Sequence, residues 1–256
     1  MIKLIFFGTG TSQGIPVIGS KHEVCFSKDI KDKRLRSSAL IEVKGKSILI
    51  DCGPDFRQQM LLNSKSNLDA ILLTHEHNDH VLGLDDVRPI NFQKQKDIPL
   101  YGLRRTLHEV KLRFPYAFVS EKYPGTPGFE LNNIDENPFF IDEIEILPIN
   151  ILHGILPIIG YRIENLAYIT DASFVEEIEF EKLKNLEVLV INSLRKESKH
   201  PSHFILEESL DFINKVKPNK AYITHISHLM GFHEEVQKTL PKNVFLAYDG
   251  LEIDLT

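Results

Sequence analysis

The sequence predicts a single α/β domain, and three observations carry that expectation. Strand-like and helix-like patterns alternate along the 256 residues, and no shift in composition marks a linker. A balance of 42% hydrophobic and 26% charged residues is that of a globular chain with one sizeable core. Several apolar runs are short and continuous, as in strands buried on both faces.

Residues 4–7 read as a strand entering the turn Gly8-Thr-Gly-Thr-Ser-Gln-Gly14. Residues 39–44 and 47–51 flank Gly45 as a hairpin. Pro54 and Asp55 open a helix through Leu62, proline being tolerated in a first turn. Ala70-Ile-Leu-Leu-Thr74 is expected as a buried strand. Further strands are expected at 99–102, 143–147, 158–163, 166–170 and 186–191, and helices at 103–114, 174–184 and 206–216 separate several of them. A strand at 220–224, a helix at 234–240 and strands at 244–248 and 251–255 complete the chain. Between 114 and 140 the periodicity weakens and Tyr123-Pro-Gly-Thr-Pro-Gly128 reads as a loop, with a lid and a long surface connection both open.

Thirty Lys and Arg against 36 Asp and Glu leave a net charge of −6, so no global field draws the chain to nucleic acid or an anionic membrane. The apolar residues after Lys3 are too few for a secretory signal, and no run approaches the roughly 20 residues of a membrane span. The cytoplasm is the expected compartment. Cys25 and Cys52 allow at most one bridge, so disulfides do not hold the fold together.

The chemistry concentrates in Thr74-His75-Glu76-His77-Asn78-Asp79-His80, directly after the expected buried strand. Three imidazoles and a carboxylate so close together are costly unless something binds them. If the first residues stay extended, His75 and His77 point to one face, and a turn after Asn78 brings Asp79 and His80 to a neighbouring point. That arrangement suits two adjacent divalent ions. Ala167-Tyr-Ile-Thr170 ends on Asp171 and Ala221-Tyr-Ile-Thr224 ends on His225, so two further strands deliver a ligand type at their ends.

This H-x-H-x-D-H run, with the later His, Asp and His, resembles the metallo-β-lactamase superfamily of binuclear metallohydrolases. The resemblance implies an αββα sandwich: two mixed β-sheets face to face, helices outside, and metals in a cleft at one edge. Carried over by position, His75, His77 and His153 hold one ion, Asp79, His80 and His225 hold the other, and Asp171 bridges them. Over nearly the whole chain, Gly8 to Gly14, Arg34-Leu-Arg-Ser-Ser-Ala39, Leu49-Ile-Asp-Cys-Gly-Pro-Asp55, Gly83-Leu-Asp-Asp-Val-Arg88 and Ala247-Tyr-Asp-Gly-Leu-Glu-Ile253 are similar to the phosphoribosyl cyclic phosphodiesterase branch, related to ribonuclease Z. That branch carries three cysteines after the Gly-rich turn, which bind a structural zinc with a late His. Here the positions are Ser20, His22, Cys25 and His228, a weaker candidate set in which serine is a poor zinc ligand.

The resemblance implies a phosphodiesterase acting on a small cyclic phosphodiester of the cyclic ribose phosphate type, through a hydroxide shared by two divalent ions roughly 3.5–4 Å apart. Zinc, manganese and iron all accept such a ligand set. Asp79 and His203 are the expected catalytic residues, His203 as general acid, with His200 as the alternative donor. Asp51 is expected to hydrogen-bond a ligand imidazole. Arg34, Arg36 and Arg88 are candidates for a substrate phosphate because guanidinium presents a bidentate fork, ordinary solvated arginines being the other reading. Cys52 reads as a small packed residue, and His108 and His233 as surface histidines. The expected partner is a small-molecule phosphodiester, with nucleic acid and membrane disfavoured and a homodimer left open. Ribonuclease Z-like tRNA processing, glyoxalase-type thioester hydrolysis and non-catalytic metal binding are the competing readings.

Overall fold

In a computed structural model describing residues 1–121 and 123–255, side-chain alternation along the strands sorts the apolar residues into three layers. The first sheet contains β1 (Ile2–Gly8), β2 (Ser38–Val43), β3 (Lys46–Ile50), β4 (Ala70–Leu72), β5 (Ile98–Leu103) and β6 (Phe129–Ile134). The second contains β7 (Phe139–Ile141), β8 (Ile144–His153), β9 (Leu156–Ile163), β10 (Leu166–Tyr168), β11 (Val188–Asn192), β12 (Lys220–Thr224) and β13 (Val244–Leu246). The chain then returns to the first sheet as β14 (Glu252–Leu255), giving the orders β14-β1-β2-β3-β4-β5-β6 and β13-β12-β11-β10-β9-β8-β7. Both sheets are mixed: β3 to β6 and β10 to β13 run parallel, and the other neighbours are antiparallel.

The period of two explains the continuous apolar runs. In β1, Ile2, Leu4 and Phe6 pack between the sheets while Ile5 and Phe7 pack outward under helices. In β11, Val188 and Val190 face inward, and Leu189 and Ile191 face the opposite helical layer. One outer layer uses α1 (Phe56–Leu62), α3 (Arg88–Lys94) and α4 (Arg104–Arg113), and the other uses α5 (Leu206–Val216) and α6 (His233–Gln237). The short α2 (Asn78–Val81) lies inside the histidine-rich run. The αββα sandwich implied by the resemblance is therefore the fold observed. No helix among the described residues is long and apolar enough to cross a membrane.

Three expectations need correction or extension. The helix expected at 174–184 is a 3-10 helix, Glu177–Leu183, because Phe174 bridges in extended form to Leu152 and Asn150 donates twice to the buried Glu179 carboxylate. The strand expected at 143–147 continues to His153, and Pro148 is tolerated because β7 pairs with β8 only through Ile146. Of the segment 114–140, residues 129–134 and 139–141 are strands at the sheet edges, and β6 carries polar Glu130, Asn132 and Asn133 that blur its pattern.

Candidate metal centre

Five strands deliver polar groups to one edge of the sandwich. Asp51 follows β3, His75 lies just beyond β4, His153 ends β8, Asp171 follows β10 and His225 follows β12. Tyr161 closes the two sheets here by donating its hydroxyl to Leu73 O at 2.6 Å. Asp51, Asp171 and His225 have φ of 60°, 58° and 54°, a left-handed bend at which each extended strand turns into its loop. Asp and His tolerate this region better than most residues, and such strain is held where the surroundings over-determine it.

The loop Asp51-Cys-Gly-Pro packs directly on the histidine-rich turn. Cys52 N donates to His80 O at 2.8 Å, and Gly83 N donates to Cys52 O at 2.9 Å. A side chain at Gly53 would meet Asp79 O at 2.0 Å, so only glycine allows this approach. Cys52 is a fully buried free thiol, pushed well up by burial, consistent with a packing role.

Two donor groups result, each with candidate ligand atoms within 4.8 Å of one another. One is His75, His77, His153 and Asp171; the other is Asp79, His80, Asp171 and His225. Asp171 belongs to both. Its Oδ2 lies 3.3 Å from His75 Nε2 and 3.0 Å from His80 Nε2, and its Oδ1 lies 2.8 Å from His225 Nε2. Those three nitrogens are buried and make no aligned hydrogen bond. Unsatisfied buried polar groups cost about 1–3 kcal/mol each, so the set fits divalent cations as the missing partner. His75, His80, Asp171 and His225 are buried whereas His77 is exposed, which opens the centre on the His77 side.

In His75, His80 and His153 the Nδ1 atom already has a partner, which leaves Nε2 to the centre; His75 Nδ1 lies 3.0 Å from Thr74 Oγ1. His80 Nδ1 donates to Asp51 Oδ2 at 2.7 Å, and Thr74 N and Oγ1 donate to the same carboxylate at 2.8 Å each. His153 Nδ1 donates to Asp171 O at 2.9 Å and Ser202 O at 2.7 Å. Such partners fix ring orientation and tautomer. Burial opposes ionisation of Asp171, but His225 and His80 outweigh it and hold the carboxylate well below its usual range. Asp79 is likewise held low, with His80 and His225 overcoming burial.

His203 stands over this group. Its ring lies 4.6 Å from that of His153 and stacks at 4.9 Å on His225, and Nδ1 is 4.0 Å from Asp171 Oδ1, buried and without a hydrogen-bond partner. Burial and then His225 push it down to about 3. An anion beside the ring would favour its protonated form. His200 lies farther out, with its ring 5.0 Å from His203 and Nδ1 accepting from Ser202 N at 3.3 Å.

The remaining candidates are placed as follows. Arg34 is 4% exposed, donating to Thr9 Oγ1 at 2.7 Å and Ala247 O at 2.5 Å with His233 Nδ1 at 3.2 Å; it is a bracing residue and not a phosphate ligand. Arg36 pairs with Asp55 at 2.6 Å, and Arg88 pairs with Asp85, which also accepts from Tyr116. Ser20, His22, Cys25 and His228 do not assemble a third donor set among the described residues. His22 Nδ1 accepts from Val24 N, Cys25 Sγ accepts from Val17 N at 3.5 Å, Ser20 Oγ accepts from His22 N, and the His22 and His228 rings meet edge-on at 5.1 Å.

His108 is exposed, but His233 is buried against Arg34 and Tyr248, correcting the surface reading. Burial and then the Arg34 charge push His233 down to about 4. Its folded value lies below the ordinary 6.5, so this contribution to stability is present above pH 6.5 and lost as pH falls through 4. His233→Gln is expected to remove about 3 kcal/mol of the acid-side fall in urea-unfolding stability. An unchanged pH profile contradicts this.

Residues 46–226 match the family described as beta-lactamase superfamily domain. The chain belongs to the beta-lactamase superfamily. A solved diphosphatase of the PhnP family is 37% identical with a TM-score of 0.93, covering 100% of this chain and 98% of that one. An octanoyltransferase of Porphyromonas gingivalis (strain ATCC BAA-308 / W83) is 42% identical over 253 residues, 98% of this chain but 51% of that protein. The chain thus spans about half the length of that relative. Ribonuclease Z of Borrelia recurrentis (strain A1) is 26% identical over 298 residues, 86% of this chain and 91% of that protein. Within the superfamily frame, sequence reasoning missed a role for the threonine before three of the strand-end residues, His75, Asp171 and His225. Thr74, Thr170 and Thr224 are all buried, Thr74 holds Asp51, and Thr170 Oγ1 lies 3.1 Å from Asp171 Oδ1. The repeated Ile/Leu-Thr step before the ligand was the available signal.

Proposed function

We propose that the protein is a binuclear metal-dependent phosphoric diester hydrolase acting on a small cyclic phosphodiester of the cyclic ribose phosphate type. The observation that carries this reading is the sharing of Asp171 by two donor groups that leave three buried imidazole nitrogens without hydrogen bonds. His75, His77 and His153 would hold one divalent cation, zinc, manganese or iron, and Asp79, His80 and His225 a second, with Asp171 common to both. Such ions supply acidified water and charge compensation for the phosphoryl oxygens.

The chain's own residues do the rest. Asp79, held ionised, accepts a hydrogen bond from the attacking water and orients it. The phosphodiester enters from the exposed His77 side. As the P–O bond breaks, His203 gives its proton to the departing oxygen, and Asp171, 4.0 Å from Nδ1, steadies the imidazolium before transfer. Two relatives support phosphate chemistry, the PhnP-family diphosphatase and ribonuclease Z. The net charge of −6 favours a small substrate over RNA.

Manganese- or zinc-loaded protein offered a five-membered cyclic ribose phosphate, bis-p-nitrophenyl phosphate, a precursor tRNA and a glyoxalase-type thioester is expected to hydrolyse the first fastest. Turnover of the thioester or the tRNA alone contradicts the proposal.

A further inference from the structure

β11 lies between β10 and β12, the strands that lead to Asp171 and His225, yet it ends on an asparagine. Asn192 is fully buried, and its carboxamide is spent on one residue. Oδ1 accepts from Ala172 N at 2.7 Å, and Nδ2 donates to Ala172 O at 2.9 Å. Ala172 follows Asp171, and its carbonyl also accepts from Phe204 N at 2.7 Å. Phe204 follows His203, and its own carbonyl accepts from Leu194 N at 2.9 Å.

His203 is therefore bracketed. On one side, His153 Nδ1 ties Asp171 O to Ser202 O; on the other, Asn192 fixes the Ala172 carbonyl to which Phe204 N donates. Asn192 is anchored in turn: Ser209 Oγ of α5 donates to its carbonyl at 2.8 Å, and it lies in register with Thr224, the residue before His225. Hydrophobic residues fill the other positions of β11, so a buried amide here has no packing rationale of its own.

We infer that Asn192 is a positioning residue for proton transfer, holding the His203 loop at a fixed distance from the Asp171 turn. The inference rests on the reading of His203 as the general acid. A carboxamide is suited to the task because it donates and accepts at once, matching both the N–H and the C=O of one residue. A change of 1 Å between donor and leaving oxygen is enough to matter to proton transfer.

The test uses Asn192→Ala and Asn192→Ser beside His203→Ala, with two diesters of different leaving group. Bis-p-nitrophenyl phosphate releases a stabilised phenolate that needs little protonation, whereas diphenyl phosphate needs more. Both Asn192 variants are expected to lose about 10²-fold on diphenyl phosphate and about threefold or less on bis-p-nitrophenyl phosphate, in the pattern of His203→Ala. Bound metal should match the unsubstituted protein. In metal-free protein, hydrogen exchange at Phe204 N should accelerate by about tenfold or more.

Equal losses on both diesters with a leaving-group-dependent His203→Ala overturn the inference and leave the acid reading standing. Unchanged exchange at Phe204 overturns it as well. A His203→Ala loss indifferent to leaving group overturns the acid reading, and the inference with it. Two substitutions of different polarity guard against one of them failing to fold.

Discussion

Asp171→Ala is expected to abolish phosphodiester turnover, a loss of at least about 10³-fold, and to lower the metal bound per chain. The carboxylate is 2% exposed and stands within 3.3 Å of His75, His80 and His225. It is the single residue common to both donor groups, so its removal takes an oxygen ligand from each. It also supports His80 and His225 electrostatically: burial would push both imidazoles down, and the neighbouring carboxylates, Asp171 among them, raise them instead. Without it each donor group loses its shared oxygen, and metal affinity falls together with rate. Elemental analysis of the purified variant checks the claim, and unchanged metal content contradicts the sharing of Asp171.

His203→Ala should behave differently. Turnover is expected to slow by about 10²–10⁴-fold, the usual range for loss of a general acid, with bound metal unchanged because His203 is in neither donor group. The ring rests 4.9 Å above His225 and loses contact with it on substitution, yet Asp171 still anchors His225. His200→Ala should slow turnover much less, since its Nδ1 is engaged by Ser202 N and its ring lies outside that of His203. Parallel steady-state kinetics and elemental analysis on the two variants decide the matter. A larger loss for His200→Ala transfers the acid role to that residue.

Most of the sandwich was legible because its interior strands carry strong signals. Runs such as Ile48 to Ile50 and Val188 to Ile191 are apolar on both faces, one facing the other sheet and one facing helices. The edge strand β6 was not legible, since Glu130, Asn132 and Asn133 break up the apolar pattern of Phe129, Leu131 and Ile134, which pack on the core. The 174–184 segment shows a helical pattern that tertiary contacts override, because Phe174 is tied to Leu152 and Glu179 to Asn150.

At the site, density and spacing of His75, His77, Asp79 and His80 pointed to metal chemistry, and the resemblance supplied His153. What no local pattern reveals is which polar residues face inward from a distance. Arg34 and His233 are 199 positions apart and meet only because the Gly-rich turn, braced to Ile226 through Thr9 and Thr11, folds over the end of β12. The arginine reads as a phosphate fork in sequence and is instead enclosed by Thr9, Ala247 and His233.

The measurement that tests the central claim most directly is metal stoichiometry coupled to activity. Protein purified without chelator, and the same protein after removal and re-addition of manganese or zinc, is analysed for metal and assayed with bis-p-nitrophenyl phosphate. About two ions per chain, with turnover lost on removal and regained on re-addition, is the predicted result. A chain that binds no metal after re-addition, or that hydrolyses the diester equally well without it, contradicts the account.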